Sequence, residues 1–560
     1  MDEGAAVEPE VDLAGHWLDG ATLRIGAIRI GEGASVGTRS TLLPGARIGR
    51  NARIAPGSAV GGDVTGGEHW AGSPAERVGK LSKAERAVER APFTQRWSAI
   101  YGGTALLLGL LPLAAAIPAL ALLSAFIDGA AGPWQAFGDA LPGVIPAVIV
   151  FFLVFAAFVL AGVRALSLGM QAGEYPLHSL AAWRVWSTTQ LVGMARVWLY
   201  PLYASVGTPT WLRLLGMKVG RDVELSTVLA VPAMTTVDNG AFLADDTMIA
   251  PYELCDGRLS VGPVRIGKRV FVGNSGMVGQ GRKLPKGSLV GVLSAAPRKA
   301  KRGKSYLGMP PERLRRPSQD TDNSLTYNPP RKLKAARAAV ELCRIVPAAC
   351  SAALLLLAAA VVADLSGSLG LPVAALLAGP VILGVGVAGA ALATAAKWAL
   401  VGRIKAEDQP LWSSFVWRNE LADNFVELVA APWFAEPWLG TAPLNAWLRA
   451  LGSRIGRGVW CETYWLPEAD LIVLEDAATV NRGCVVQTHL FHDRVMSMDL
   501  VTLHAGATLG PQAVILPAAS IGAGATVGPA SLVMRGEEVP ARTRWTGNPI
   551  APYDGEGRDV

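Results

Sequence analysis

The sequence is poor in charge, cysteine and histidine, and each shortage removes a class of answer. Charged residues make up 17% of its 560 residues and hydrophobic ones 51%, with a mean hydropathy of +0.33. A chain this long and apolar is neither one domain nor an ordinary soluble protein, so part of it is expected in a membrane. The five cysteines, Cys255, Cys343, Cys350, Cys461 and Cys484, form no CxxC pair and no even framework. They read as reduced thiols, not as a disulfide scaffold. No basic stripe interleaved with aromatics is present, so the net charge of +6 points to a membrane surface and away from nucleic acid. Residues 1–12 are acidic and have no apolar core, unlike a cleaved signal peptide.

Four stretches meet or exceed the roughly 20 apolar residues that a spanning helix needs: 98–127, 141–170, 343–363 and 371–400. They form two hairpins. The tips "DGAAGPWQAFGDA" and "DLSGSLG" lack Lys and Arg, whereas the flanks "KLSKAERAVERAPFTQRW" and "RKLKAARAAVELCR" are rich in both. The positive-inside rule then predicts tips facing out and everything else in the cytoplasm of an inner-membrane protein. Nine tryptophans flanking the spans, Trp183, Trp186, Trp198, Trp211, Trp412, Trp417, Trp433, Trp438 and Trp447, are expected to form an interfacial belt.

The remainder is periodic. Aliphatics recur every sixth residue at Ile30, Val36, Leu42, Ile48, Ile54 and Val60, and again at Leu503, Leu509, Ile515, Ile521, Val527 and Val533. One inward aliphatic per hexad, with small residues and frequent Gly or Pro between, is the pattern of the hexapeptide β-helix. A middle piece keeps phase at Ile266, Val272, Val278, Leu284 and Val290, with Arg282 in a small-residue slot that is expected to distort it. Each piece ends in a "G-x-P" tail: Gly72–Pro74, Gly308–Pro310 and Gly547–Pro549. The repeat reaches further upstream, because "PLHSLAAWR" (176–184) matches "PLWSSFVWR" (410–418) and "WLRLLG" (211–216) matches "WLRALG" (447–452). The fold class is therefore a multidomain membrane protein: three left-handed parallel β-helix (hexapeptide-repeat) domains alternating with two transmembrane α-helical hairpins. The boundaries are 1–79 for the first module, 80–170 for a basic linker and hairpin, and 171–216 for juxtamembrane helices. The second, degenerate module is 217–330, the second hairpin 331–401, further juxtamembrane helices 402–452 and the third module 453–560. No hairpin precedes the first module, so the chain is expected to be the tail of a longer architecture.

The segment "QTHLFHDRVMSMDLVTLHAGATLGPQAVILPAASIGAGATVGPASLV…TGNPI" (487–550) resembles hexapeptide-repeat acyltransferases, which carry a His in a loop before the final coils and a closing "G-x-P" turn. The wider arrangement looks like the C-terminal membrane region of single-module non-ribosomal peptide synthetases of the ε-poly-lysine synthetase type. The resemblance implies acyl transfer from a thioester to an amine. No adenylation domain is present, and "GGDV" (61–64) lacks a carrier serine. The donor is thus expected to be a phosphopantetheine-linked thioester, on a carrier protein or CoA, made elsewhere. No permanently bound cofactor is expected, and cofactor-binding residues are not assigned.

Imidazole is the side chain whose unperturbed pKa suits a base at neutral pH. The motif offers His489 and His492, and an ungapped overlay of Val60 on Val533 sets His16 on His489. A corresponding overlay of the middle piece places Asp246 there, a poor base for an amine. Catalysis is therefore expected from His489, with His16 as a second base and His492 as the alternative within the motif, while the middle module is read as structural. The bland reading of each is a corner histidine that binds a neighbouring carbonyl. Zinc is not expected, because His489, His492 and His504 lie on one short segment.

The expected function is a membrane-integral acyl or peptide transferase. The alternative is a non-catalytic scaffold that docks carrier or adenylation/carrier synthetase domains. A transporter is disfavoured, because the spans hold few ionisable residues, chiefly Arg164 and Lys397 near their ends. The three modules are expected to assemble as an intramolecular pseudo-trimer, with the lipid bilayer and a carrier protein as partners. The middle module, with Arg282 and the basic run "PRKAKRGK" (297–304), is the expected docking surface for an acidic carrier protein or for the phosphates of a CoA-type arm, the plainer alternative being a basic loop near anionic lipid.

Overall fold

The computed structural model describes residues 1–82, 94–255, 257–314 and 325–553. Among the described residues, four helices are long and apolar enough to cross a membrane: Gln95–Ile127, Pro133–Ser167, Arg331–Leu369 and Leu371–Leu400. The first two pack on each other, as do the last two, and Pro133–Ser167 joins the pairs by packing on Ile345–Leu369. The tips are shorter than predicted. Pro133 opens its helix at the first position, where its missing N–H costs nothing, and this draws residues 133–140 into the helix. Gly370, at φ +82°, reverses the chain between the last two helices alone, in a conformation open to glycine. Most of the first basic flank lies outside the described residues. In the second, Arg337 and Arg344 are buried, at 2% and 1% exposure. They bind Glu341 at 2.7 Å and Glu420 at 2.6 Å, so part of that flank's charge serves the interior.

Residues 1–80, 218–314 and 454–552 form three bodies of short parallel strands. Hairpins apart, each strand pairs with the third one further along, so one turn takes three hexads. Ile30 lies beside Ile48, Val36 beside Ile54 and Leu42 beside Val60, and the third body repeats this with Leu503–Ile521, Leu509–Val527 and Ile515–Val533. These aliphatics fill the interiors, where burial stabilises by about 25 cal/mol per Å². Arg282 does not distort the middle body: its carbonyl accepts from Arg265 N at 3.0 Å, and Leu284 stays in register with Ile266. A half-buried side chain at the corner leaves the ladder intact.

What interrupts each body is an antiparallel hairpin: His16–Asp19 with Thr22–Ile25, Tyr252–Cys255 with Arg258–Val261, and His489–His492 with Val495–Met498. The expected loop around His489 is thus a strand. The upstream sequence matches are local devices. Ser179 and Ser413 cap their helices by accepting from Ala182 N and Val416 N, each cap worth about 1 kcal/mol. Arg213 and Arg449 bind two carbonyls each in the first coil that follows, Val219 and Gly220 or Ile455 and Gly456. Four of the tryptophans assigned to a belt, Trp211, Trp412, Trp417 and Trp447, are instead core, at 3–6% exposure. Helices packed on both the bundle and the strands bury the rings that the sequence leaves at the membrane edge.

Each body touches both others. Asn481 of the third accepts from Leu18 N at 2.8 Å and donates to Leu18 O at 2.9 Å in the first, and Arg544 binds Asp19 at 2.7 Å. Glu8 of the first accepts from Leu254 N of the second at 2.7 Å. Val292 and Leu307 of the second pack on Val514, Leu516 and Leu532 of the third. The three "G-x-P" tails meet: Ser73 Oγ donates to Pro529 O at 2.8 Å, and Asn548 donates to Leu293 O. A Cβ on Gly308 would lie 2.5 Å from Asn548 O, so only glycine admits that approach. Asn481→Ala removes both partners of Leu18 and is expected to cost about 1–3 kcal/mol. Thermal unfolding that matches wild type would show the clamp to be incidental.

Candidate functional site

By strand order His489 corresponds to His16 and to Tyr252, the first residues of the other hairpins. Asp246 therefore does not stand at the His489 position; it corresponds to Gly483. The ungapped overlay slipped by one hexad, which a ladder of like hexads permits. Nor is Asp246 silent. It binds Arg39 of the first body at 2.7 Å and Arg196 at 2.8 Å, and so ties three parts of the chain together.

The hairpins dock on their neighbours unequally. Leu18 is held by Asn481 and Leu254 by Glu8. The residue corresponding to both clamps is Ala244, which has no side chain to reach Phe491. Phe491 instead lies against the ring of Phe242, 5.3 Å between centroids. Beside this unclamped hairpin is a cavity of about 1030 Å³. The middle body contributes Asp245, Asp246 and Asn274 to it, the third body Gln487, His489 and Phe491, and the juxtamembrane helices Arg196, Glu420, Asp423 and Glu427. His489 thus lines the cavity. His16 is exposed on the first hairpin, and His492, beside Asp493 at 3.7 Å, is not among the lining residues.

The His489 side chain is 13% exposed, and its Nδ1 lies 2.7 Å from Glu468 Oε2. Glu468 sits in the left-handed region at φ +44°. Its carboxylate also accepts from Thr488 Oγ1 at 2.6 Å and Asn419 Nδ2 at 2.7 Å, so one buried acid orients the ring. Burial works to lower the His489 pKa, but the Glu468 carboxylate, its hydrogen bond, Asp245 and Asp423 outweigh it and hold the imidazole above 6.5. Burial works to raise Glu468, and the imidazolium charge and three hydrogen bonds hold it below its ordinary value.

Glu420, Asp423 and Glu427 fall at i, i+3 and i+7, one face of the helical run 414–435. Burial pushes Glu420 and Glu427 up to about 7 and Asp423 well above its ordinary value. Asn274 Nδ2 donates to Gln487 Oε1 across the two bodies at 3.3 Å. Asn424, 4% exposed and also lining the cavity, keeps Oδ1 without a partner. An aromatic and acidic chamber with a buttressed imidazole can receive a cationic amine and take a proton from it. Sequence reasoning missed Glu468, whose 21-residue separation from His489 carries no signal. It also passed over "NELADNFVELVA" (419–430), where acids at helical spacing in an apolar helix were a signal.

Comparison with known proteins bears on the chain as a whole. Residues 27–62 match the family described as bacterial transferase hexapeptide (six repeats). Over 99% of its length the chain is 30% identical to a protein of Acinetobacter baumannii (strain AB307-0294) named delta-poly-L-ornithine synthetase. The chain is a relative of a poly-amino-acid synthetase. It spans 43% of that relative's length, and the match runs through membrane helices and strand bodies alike. The resemblance to poly-amino-acid synthetases read from the alternation of modules is therefore shown, together with a hexapeptide repeat near the N-terminus and, among the described residues, four membrane-capable helices.

Proposed function

We propose that the chain is a membrane-integral transferase that forms an amide bond from an amine and a thioester-activated acyl or aminoacyl group. The observation that carries this reading is the His489–Glu468 pair at 2.7 Å, set in a cavity that Asp245, Glu420, Asp423 and Glu427 also line. The acids of the 420–427 face, which burial holds up, ionise when a cationic group is brought against them, and ornithine, the amino acid in the relative's name, is of that cationic class. The acceptor ammonium first gives one proton to solvent, which frees its lone pair; Nε2 of His489 takes a second proton as the amine nitrogen attacks the thioester carbonyl. The C–N bond forms, the C–S bond breaks, and the imidazolium returns its proton to the departing thiolate. Gln487 is an amide donor for the developing oxyanion. The donor is a carrier- or CoA-bound thioester made by another domain or protein.

In this reading the three bodies are left-handed β-helices arranged as a pseudo-trimer, and tethering in one chain raises their effective mutual concentration to the order of millimolar. The groove between the second and third holds the cavity beside His489, where Ala244 stands in place of the clamp found in the other two. The test is direct: purified protein in lipid nanodiscs, an aminoacyl thioester and free amino acid, with amide product read by mass spectrometry. No product with any carrier- or CoA-linked donor would favour the scaffold.

The Lys- and Arg-poor tips support a topology with the strand bodies in the cytoplasm. An impermeant thiol reagent applied to intact cells is expected to label cysteine introduced at Gly129 or Ser368 and to spare one at Arg535. Labelling at position 535 would invert the topology.

A further inference from the structure

The carboxylates around the cavity divide by what neutralises them. Glu224 pairs with Arg337 at 3.2 Å, Glu420 with Arg344 at 2.6 Å, and Asp246 with both Arg39 and Arg196. Among the described residues, Asp423 and Glu427 have no Arg or Lys partner. Both line the cavity, one helical turn apart on the same face, about 6 Å along the axis. Asp423 acts on the imidazole of His489. Glu427 lies a turn further along the run, where Tyr464 Oη donates to it at 3.3 Å and Glu436 repels it. Next to Asp423 in sequence is Asn424, 4% exposed and part of the same wall. Its Nδ2 donates to Glu420 O at 2.8 Å. Its Oδ1 is left as a buried acceptor that meets no donor among the described residues. Buried acceptors are rarely left so. A lone acceptor beside a carboxylate without a counter-charge calls for a group that carries both a positive charge and several N–H donors, which is an ammonium.

We propose that Asn424 and Glu427 form a second cation subsite, which holds the non-reacting ammonium of a dicationic acceptor and so fixes which of its two amines reaches His489. The inference rests on the transfer reading above and adds to it the residues that choose between two like amines. The held ammonium donates to Asn424 Oδ1 and to the Glu427 carboxylate, and that carboxylate keeps it charged and therefore unreactive. The other amine, a few methylenes away, lies beside Asp423 and His489. A cavity of about 1030 Å³ has room for both, since pockets of this size take ligands larger than a single amino acid. Asn424 and Glu427 are thus positioning residues: they touch the acceptor away from its reacting atom. An acceptor with one amine gains one of the two contacts and has nothing to fix its orientation.

The test needs no thioester. Diaminobutane and butylamine, which differ by one ammonium, are titrated calorimetrically onto the full chain in phosphatidylcholine nanodiscs, whose lipid has no net charge to attract them. The diamine is expected to bind about tenfold or more tightly. Glu427→Gln is expected to reduce that preference to about twofold or less, and Asn424→Leu, close in volume, to reduce it in part. A loss of structure alone would weaken both amines together, so the ratio reads the subsite, and thermal unfolding reports whether each variant folds. Equal binding of the two amines by the wild type would overturn the proposal. So would a diamine preference that both folded variants keep, because the second ammonium would then sit elsewhere. The two readings fail separately. A chain that binds the diamine as expected yet forms no amide would retain the subsite and lose the transfer. Amide formation by a chain that binds both amines alike would do the reverse.

Discussion

Replacing His489 by alanine is expected to lower amide formation by roughly 10²- to 10⁴-fold, the range that a positioned general base supplies. The fold is expected to survive. The imidazole lies on the hairpin and not in the aliphatic ladder, and Glu468 keeps Thr488 and Asn419 as partners when the ring is gone. Thermal unfolding then separates a chemical loss from a structural one. His16→Ala and His492→Ala are expected to stay within about twofold of wild type, because neither ring lines the cavity; surface changes of this kind are usually small. Wild-type turnover by His489→Ala, with amine and thioester saturating, would remove the imidazole from the mechanism. A large loss in His16→Ala would mean that a second groove works.

Glu468→Gln is expected to move the acid limb of the pH–rate profile to lower pH while reducing the maximal rate. A base acts only when neutral, so turnover in the wild type falls as pH drops through the His489 pKa, which the Glu468 carboxylate holds above 6.5. Removing that charge lets burial dominate and the pKa falls. The rate drops as well, because the amide neither strengthens the base nor stabilises the imidazolium formed on proton transfer. The same pair sets a stability window. Glu468, lowered from 4.5, stabilises the fold above that value and loses its effect as pH falls through its folded pKa. His489, raised from 6.5, stabilises below that value and loses its effect as pH rises through its own. Both contributions are full only between about 4.5 and 6.5, and the variant is expected to lower stability within this range and to flatten its fall on either side. An acid limb at the wild-type position would show that Glu468 does not govern the base.

The middle body shows how far pattern reading carries. Its hexads were legible, yet its alignment slipped by one hexad, placed Asp246 where Tyr252 belongs, and made a contributor to the cavity look inert. Every hexad satisfies the same inward aliphatic position, so hydrophobic period alone cannot choose between registers six residues apart. The hairpin sets the register, and its strands lack the hexad pattern. The tryptophans fail for a related reason. Their sequence places them at the ends of spans, but whether an indole at that level meets lipid or protein depends on the neighbouring helix.

The alternation of apolar helices with hexad ladders and the three tails are legible in the sequence, because these rest on spacing between residues close in the chain. Tertiary structure alone decided which groove is open, which histidine has a cavity, and that Glu468 and the carboxylates of residues 420–427 face it. Those outcomes depend on packing three similar bodies against one another and against the helices. A single side chain at position 8, 244 or 481 then separates a closed contact from an open one, and no local signal in the chain marks that difference.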